Sequence, residues 1–252
     1  QRAQVSLKGK TALVTGASRG IGAAIAARLA ADGADLVVGY SGNARAAEAV
    51  VGEVQSTGRR AVAVQADIRR PAAVRRLFAE GVAAFGGVDI VVANAGVELI
   101  DTPFGDYTEE QVDLVLDTNV KGTFFTMQQA ARTLPDGGRI ILISSNTTRL
   151  SLPGFAVYGA SKLAPHYFVQ VLAKELGPRR ITVNSVVPGA TRAAGVFTGS
   201  GDDPSVRELT ARTPLGRLGT PADTAAMVAF LAGDQAAFIT GQHVTVDGGA
   251  AI

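Results

Sequence analysis

The stretch Thr11 to Gly22, "TALVTGASRGIG", decides the fold. It begins as a short apolar run rich in β-formers, which Gly16 interrupts. After Gly22 the chain continues "AAIAARLAADG", an Ala-rich segment of helical length closed by a glycine. The expectation is a buried strand, a tight turn and a helix, the opening of a β-α-β unit. Gly16, Gly20 and Gly22 form a G-x-x-x-G-x-G turn. Without Cβ atoms the backbone can approach a pyrophosphate, and free amides at a helix N-terminus attract its charge. A glycine turn would also serve a merely tight connection, but its place between the first strand and the first helix favours nucleotide binding. The loop Gly16, Ser18, Arg19, Gly20, Ile21 and Gly22 is the candidate.

The same rhythm repeats downstream. Strand candidates are 11–15, 35–40, 61–65, 89–94, 139–144, 181–187 and 243–247, each a short apolar run of a buried strand. Helical segments lie between them, such as "PAAVRRLFAEGVAAFGG", where Pro71 suits a first turn and Gly86-Gly87 a stop. Seven strands and about six helices fill 252 residues, which predicts one α/β domain over 1–252 built on a doubly wound parallel sheet. One segment breaks the pattern. Residues 189–214 carry Gly, Ser, Asp and Pro without a strand, and read as a substrate lid with a short helix, "SVRELTAR", inside it.

Composition narrows the function classes. Hydrophobic residues make up 47% and charged ones 18%, enough for a full core. The 24 basic and 22 acidic residues are scattered, and pairs such as Arg59-Arg60, Arg69-Arg70, Arg75-Arg76 and Arg179-Arg180 read as solvated turns and helix ends rather than a nucleic-acid stripe. With no cysteine there is no thiol nucleophile or disulfide, and His166 and His243, the two histidines, do not suggest a metal centre. No apolar run reaches the roughly 20 residues of a membrane span. A cytoplasmic protein without membrane or nucleic-acid partners is expected.

The nucleotide can be narrowed too. An NAD site usually has an acid about 20 residues beyond the glycines, at the end of the second strand. Here Tyr40 and Ser41 stand there. The missing acid, together with Arg19 in the glycine loop and Arg45 as a helper, favours a 2′-phosphate and hence NADP.

The glycine loop, "ANAG" at 93–96, "SS" at 144–145, "YGASK" at 158–162 and the ending "TGQHVTVDGG" together resemble the short-chain dehydrogenase/reductase family over essentially the whole chain. Within it the chain is most like 3-oxoacyl-acyl-carrier-protein reductases and hydroxynaphthalene reductases. The resemblance implies a Rossmann fold and a homotetramer. It also implies that Tyr158 donates a proton to a carbonyl, that Lys162 holds the nicotinamide ribose and lowers the Tyr158 pKa, and that Ser145 supports the alkoxide. The small Gly159, Ala160 and Ser161 would leave room for the cofactor. Asn119 would hold a water in a relay toward Lys162. Asp67 and Ile68 would meet adenine, Asn94, Ala95 and Gly96 its ribose side, and Pro188 and Gly189 the nicotinamide. The family threonine for the carboxamide is replaced by Ala193, leaving Thr191 as the nearest hydroxyl.

The implied activity is NADPH-dependent reduction of a ketone, on a 3-oxoacyl, polyketide or aromatic polyol intermediate. NAD-dependent oxidation of a secondary alcohol and a non-catalytic NADP sensor are the alternatives. An enoyl reductase spacing fails, because Pro165 stands seven positions after Tyr158. Pro165 should also kink its helix or cost about 3 kcal/mol, reshaping an oligomer interface. Val196, Phe197, Leu209, Leu150, Leu152 and Phe155 suggest an apolar substrate pocket, with Arg149, Arg192 and Glu98 as charged candidates.

Overall fold

Along β1 (Thr11–Val14) successive side chains go to opposite sides of the sheet, and both sides are core: Ala12 and Val14 pack on one face, Leu13 on the other. The same split recurs in β2 (Asp35–Tyr40), β4 (Ile90–Ala93) and β5 (Arg139–Ile143), where Leu36, Ile90 and Ile141 face one layer and Val37, Val91 and Ile140 the other. Strands apolar on both faces require helices on both faces, and that requires parallel crossovers. The computed structural model, which describes residues 6–195 and 204–251, shows this architecture. β3 (Ala61–Gln65), β6 (Thr182–Pro188) and β7 (His243–Val246) complete a seven-stranded sheet in the order β3-β2-β1-β4-β5-β6-β7, every pairing parallel.

The order reverses between β1 and β4, and the crevice above their carboxyl ends is where such sheets bind ligands. Helices α1 (Gly20–Ala31), α2 (Ala44–Ser56) and α8 (Pro221–Ala232) cover one face; α3 (Pro71–Phe85), α5 (Thr123–Thr133) and α6 (Ala156–Leu176) cover the other. Pro71 does begin α3, and Gly86 ends it at φ 87°, a left-handed cap that suits glycine. The lid helix α7 spans Pro204–Arg212. The remaining lid positions Val196 and Phe197 lie outside the described residues.

Two elements depart from plain helix. α4 (Glu109–Leu116) runs into α5 through a π-helical turn at Asp117–Gly122, so that α4 and α5 act as one long rod with a bulge. Such bulges re-aim side chains and recur at functional sites. Here the bulge carries Asn119. Pro165 lies buried inside α6, which nonetheless runs unbroken through its full 21 residues to Leu176. The proline deprives the Ser161 carbonyl of its ladder donor without ending the helix. On the surface, Arg60 pairs with Asp35 at 2.6 Å, Arg69 with Asp67 at 2.7 Å and Arg179 with Asp136 at 3.0 Å, so three of the arginine pairs are tied to neighbouring acids. No helix among the described residues is long and apolar enough to cross a membrane.

Candidate active site

The glycine loop is held by its neighbours rather than by itself. Thr15 Oγ1 accepts the amides of Asn94 (3.1 Å) and Ala95 (3.0 Å), and Asn94 Nδ2 donates back to the carbonyls of Thr15 (2.9 Å) and Gly16 (3.1 Å). The Ala17 amide bonds the Gly39 carbonyl of β2 at 2.8 Å. A Cβ on Gly22 would strike the Gly16 carbonyl and come within 2.5 Å of Asn94 Nδ2, and one on Gly16, at φ 62°, would lie 2.8 Å from the Ala95 Cα. The loop therefore tolerates only glycine at these points, where it closes tightly on its neighbours. Asn94, expected on the ribose side, spends its amide on the loop. Thr15, which sequence reasoning missed, stands directly before Gly16; that adjacency was the available signal.

Arg19 is exposed at the N-terminus of α1, and Ser18 and Ile21 flank it. Tyr40 is half-buried at the end of β2 and Ser41 exposed beside it, with no carboxylate at either position; Arg45 is exposed in the first turn of α2. Asp67 is bound to Arg69, whose side-chain hydrogen bond holds the carboxyl below its usual range. Ile68 is buried, and a Cβ at Gly122 would come within 2.7 Å of its side chain. That side chain belongs to the core, leaving only backbone to face a nucleotide.

The four residues expected to carry the chemistry converge above β4 and β5. Ser145 accepts from the Thr147 amide at 3.3 Å and from its hydroxyl at 3.0 Å, so its lone pairs are engaged and its own proton is the one left to meet the Tyr158 hydroxyl. Tyr158 is 8% exposed and Lys162 Nζ lies 5.8 Å from its ring centre, donating to the Ile143 carbonyl at 3.4 Å. Asn119 binds both the amide and the carbonyl of Val97 at 2.8 Å, and donates to Ser161 Oγ at 2.9 Å. Ser161 in turn donates to the Tyr158 carbonyl at 2.7 Å. A Cβ at Gly96 would sit 3.1 Å from Asn119 Oδ1 and 3.2 Å from Lys162 Nζ, so glycine keeps the gap between them clear.

Two expectations are corrected. Ser161 is not a spacer: it is fully buried and bonded, and its hydroxyl locks the turn that carries Tyr158 and Lys162. The Tyr158 hydroxyl, expected to be shifted down by Lys162, is shifted up instead. Burial pushes its pKa above the ordinary tyrosine range, the Glu98 charge adds to this, and only the Ser145 hydrogen bond opposes it. Burial also pushes Lys162 down to about 8, against the pull of Glu98. The desolvated crevice thus disfavours both charges.

A cavity of about 330 Å³ opens beside Ser145 and Tyr158. Leu150, Leu152, Phe155 and Leu209 line it, as anticipated, together with Pro188, Gly189 and Thr191. Of the charged candidates Glu98 lines the cavity, whereas Arg149 and Arg192 are exposed and outside the lining; Arg212 of the lid helix takes their place. A Cβ at Gly189 would come within 2.7 Å of Asp247 Cβ, and Thr191 Oγ1 donates to the Gly189 carbonyl at 2.9 Å. Ala193 adopts φ 58°, unusual for a residue with a side chain.

Known proteins resemble this chain along its length. A family profile described as Enoyl-(Acyl carrier protein) reductase matches residues 16–251, although the Tyr–Lys spacing here is four residues. The short chain dehydrogenase/reductase AacuN of Aspergillus aculeatus is 45% identical over 97% of both chains. Versicolorin reductase stcU of Emericella nidulans is 45% identical over 97% of this chain and 96% of its own. A short chain dehydrogenase from Burkholderia cenocepacia, solved in complex with NADP, superposes with a TM-score of 0.91 at 44% identity, covering 97% of this chain and 98% of that one. With the seven-stranded parallel sheet and the Tyr158–Lys162 turn on α6, these likenesses establish that the chain belongs to the short-chain dehydrogenase/reductase family, as an NAD(P)-dependent oxidoreductase of carbonyl and alcohol groups.

Proposed function

We propose that the chain is an NADPH-dependent ketoreductase acting on a polycyclic polyketide or aromatic polyol ketone, with Tyr158 as the proton donor. The observation that carries this reading is the cavity itself: Ser145 and Tyr158 border it together with the apolar Leu150, Leu152, Phe155 and Leu209, while Glu98, Arg212 and Asp247 supply its charges. A flat apolar ketone suits such a space. The versicolorin reductase likeness supports the same substrate class.

The residues fit a dinucleotide. Gly16 and Gly22 let the loop close on Ala95 and Asn94, Gly96 sits against Asn119 and Lys162, and Gly189 against Asp247, all without a Cβ; α1 begins directly in this loop, where helix N-terminal amides suit an anion. NADPH supplies the hydride. Gly16, Ser18, Gly20, Ile21 and Gly22 would border the pyrophosphate, with Arg19, Tyr40 and Ser41 at the 2′-phosphate and Asp67, Ile68, Asn94, Ala95 and Gly96 along the adenosine. Pro188, Gly189 and Thr191 would border the nicotinamide, and Lys162 its ribose. Arg19 and the absence of an acid at Tyr40 and Ser41 support the phosphorylated form.

As the carbonyl oxygen gains negative charge, Ser145 would turn its proton from the Tyr158 hydroxyl to a hydrogen bond with that oxygen, and Tyr158 would transfer its phenolic proton to it. A phenol whose pKa is raised by burial is fully protonated at neutral pH. It carries the proton that reduction needs, as an unperturbed tyrosine also would, and burial makes it the weaker acid until the developing alkoxide draws that proton away. Asn119 keeps one lone pair of Oδ1 toward the gap at Gly96 and Lys162, where a water would return a proton. The family resemblance also supports a cytoplasmic homotetramer, and the exposed Phe124, Leu163 and Tyr167 on α5 and α6 support burial between copies.

The test is to follow NADPH and NADH absorbance separately with purified protein against 3-oxoacyl thioesters, cyclic diketones, hydroxynaphthalenones and hydroxyanthrones. Turnover is expected with NADPH on the polycyclic ketones. Turnover confined to NADH, or to alcohols, overturns the reading.

A further inference from the structure

The two histidines of the chain, far apart in sequence, meet behind the active site. The rings of His166 on α6 and His243 at the start of β7 stack with centroids 3.9 Å apart and planes 13° apart. Each ring is tied to a buried serine: His166 Nε2 to Ser144 Oγ at 2.7 Å, and His243 Nδ1 to Ser185 Oγ at 2.8 Å. Ser144 immediately precedes Ser145, and its Oγ reaches the Lys162 carbonyl at 3.3 Å. One bond therefore joins His166 to both the serine and the lysine of the candidate site.

Proton counting assigns the ring tautomers. A hydroxyl has one proton, and when Ser144 donates it to the Lys162 carbonyl, Ser144 can only accept from His166; His166 then carries its proton on Nε2. Gln170 Nε2 approaches His243 Nε2 at 3.4 Å, and an amide nitrogen only donates, so His243 carries its proton on Nδ1 and donates to Ser185. Both rings are then neutral, and the stack brings no two like charges together. The charged groups that face the pair are Arg149 from the turn after β5 and Lys162 from α6, and both oppose protonation. Burial, then His243 and these cations, push His166 down to about 4; burial and Arg149 lower His243.

We propose that the stacked neutral histidine pair is a positioning device for the reaction, in which His166, through Ser144, sets the placement of Ser145 and of the Lys162 turn. Neither ring lines the cavity. The inference rests on the ketoreductase reading. It links β5, β6, β7 and α6 through side chains, at the end of the sheet where a small shift of Ser145 would misplace its proton relative to Tyr158.

The experiment compares His166→Leu, which fills the volume without a polar atom, with His166→Gln, whose amide can still donate to Ser144. NADPH binding by fluorescence reports folding. The expected result is a fall of about tenfold or more in kcat for His166→Leu at nearly unchanged KM for NADPH, recovered to within about threefold of wild type by His166→Gln. If the leucine variant does not fold, Ser144→Ala carries the same expected kcat loss. Since the chain has two histidines, their ring protons are readily followed by NMR, and both should titrate below the ordinary value near 6.5, His166 the lower at about 4. Wild-type kcat in His166→Leu, equal losses in both His166 variants, or ordinary titration of both rings overturns the proposal while leaving the ketoreductase reading intact. A wild-type protein inert toward every ketone removes that reading and the positioning role with it.

Discussion

Asn119 Nδ2 donates to Ser161 Oγ at 2.9 Å, joining the π turn of the α4–α5 rod to the middle of the Tyr158–Lys162 turn. Asn119 is 2% exposed and also satisfies both the amide and the carbonyl of Val97. In Asn119→Ala these groups lose their partner. Stranding buried polar groups costs about 1–3 kcal/mol each, so a total of about 3 kcal/mol is expected even with partial relaxation. For a chain of this size that is a fall in Tm of roughly 6–12 °C. Ser161→Ala should cost about 1 kcal/mol, and the double variant less than the sum. A Tm within about 2 °C of wild type in Asn119→Ala would show that the bridge carries little.

Gly22→Ala tests whether the glycine loop is shaped for a ligand. The new methyl would meet the Gly16 carbonyl and the Asn94 amide, both part of the loop's own bracing. Far-UV circular dichroism should be preserved, and NADPH affinity should fall by about thirtyfold, equivalent to about 2 kcal/mol. Undiminished NADPH fluorescence enhancement in a folded variant would place the nucleotide elsewhere.

Arg19→Ala separates the two dinucleotides. A charge-assisted hydrogen bond to a phosphate is worth about 1.5–3 kcal/mol, so NADPH affinity should drop at least about tenfold while NADH affinity stays within about twofold. Equal loss for both cofactors would assign Arg19 to the shared pyrophosphate.

The backbone of this fold was legible because its strands are apolar on both faces and its turns are glycine. β2 and β3 match the sequence limits, while the other strands differ at their ends by a residue or so. The π turn was not legible: "DTNVKG" has no helix-breaking residue, and the bulge arises from Gly122 packing under Ile68 and Asn119 reaching Val97, both tertiary. The four candidate residues Asn119, Ser145, Tyr158 and Lys162 could be picked out by motif, but the sign of the Tyr158 shift could not. Spacing shows that a cation is near, whereas burial and Glu98 depend on how loops close over the site. The His166–His243 stack was missed for the same reason, since no local pattern links α6 to β7.

Tyr158→Phe removes the proposed proton donor with almost no change in shape. Proton donation by a placed side chain contributes about 10²–10⁴-fold, so kcat should fall by about a thousandfold. NADPH affinity should remain within about twofold, because the lost hydroxyl faces the carbonyl rather than the nucleotide. A variant with wild-type turnover would remove Tyr158 from the mechanism.

Lys162 makes a prediction in pH with two opposite trends. Burial holds its folded pKa at about 8, whereas an unfolded lysine titrates near 10.4. Below about pH 8 both states are protonated and the group adds no pH dependence, although the cost of burying the cation is present in full. Between about pH 8 and 10.4 the unfolded chain binds more protons, so the cofactor-free protein gains stability as pH rises through that window. Lys162→Met lacks this gain, and urea midpoints of the two proteins at about pH 7.5 and 9.5 measure it. If the ammonium also holds the nicotinamide ribose, NADPH affinity must move the other way and weaken as the charge is lost above about pH 8. Bound phosphates favour the charged lysine and shift that weakening upward, so the affinity curve should bend later than the stability curve. A flat NADPH affinity up to about pH 10, in a protein whose stability does rise, would separate the buried lysine from the cofactor and leave it a purely structural cation.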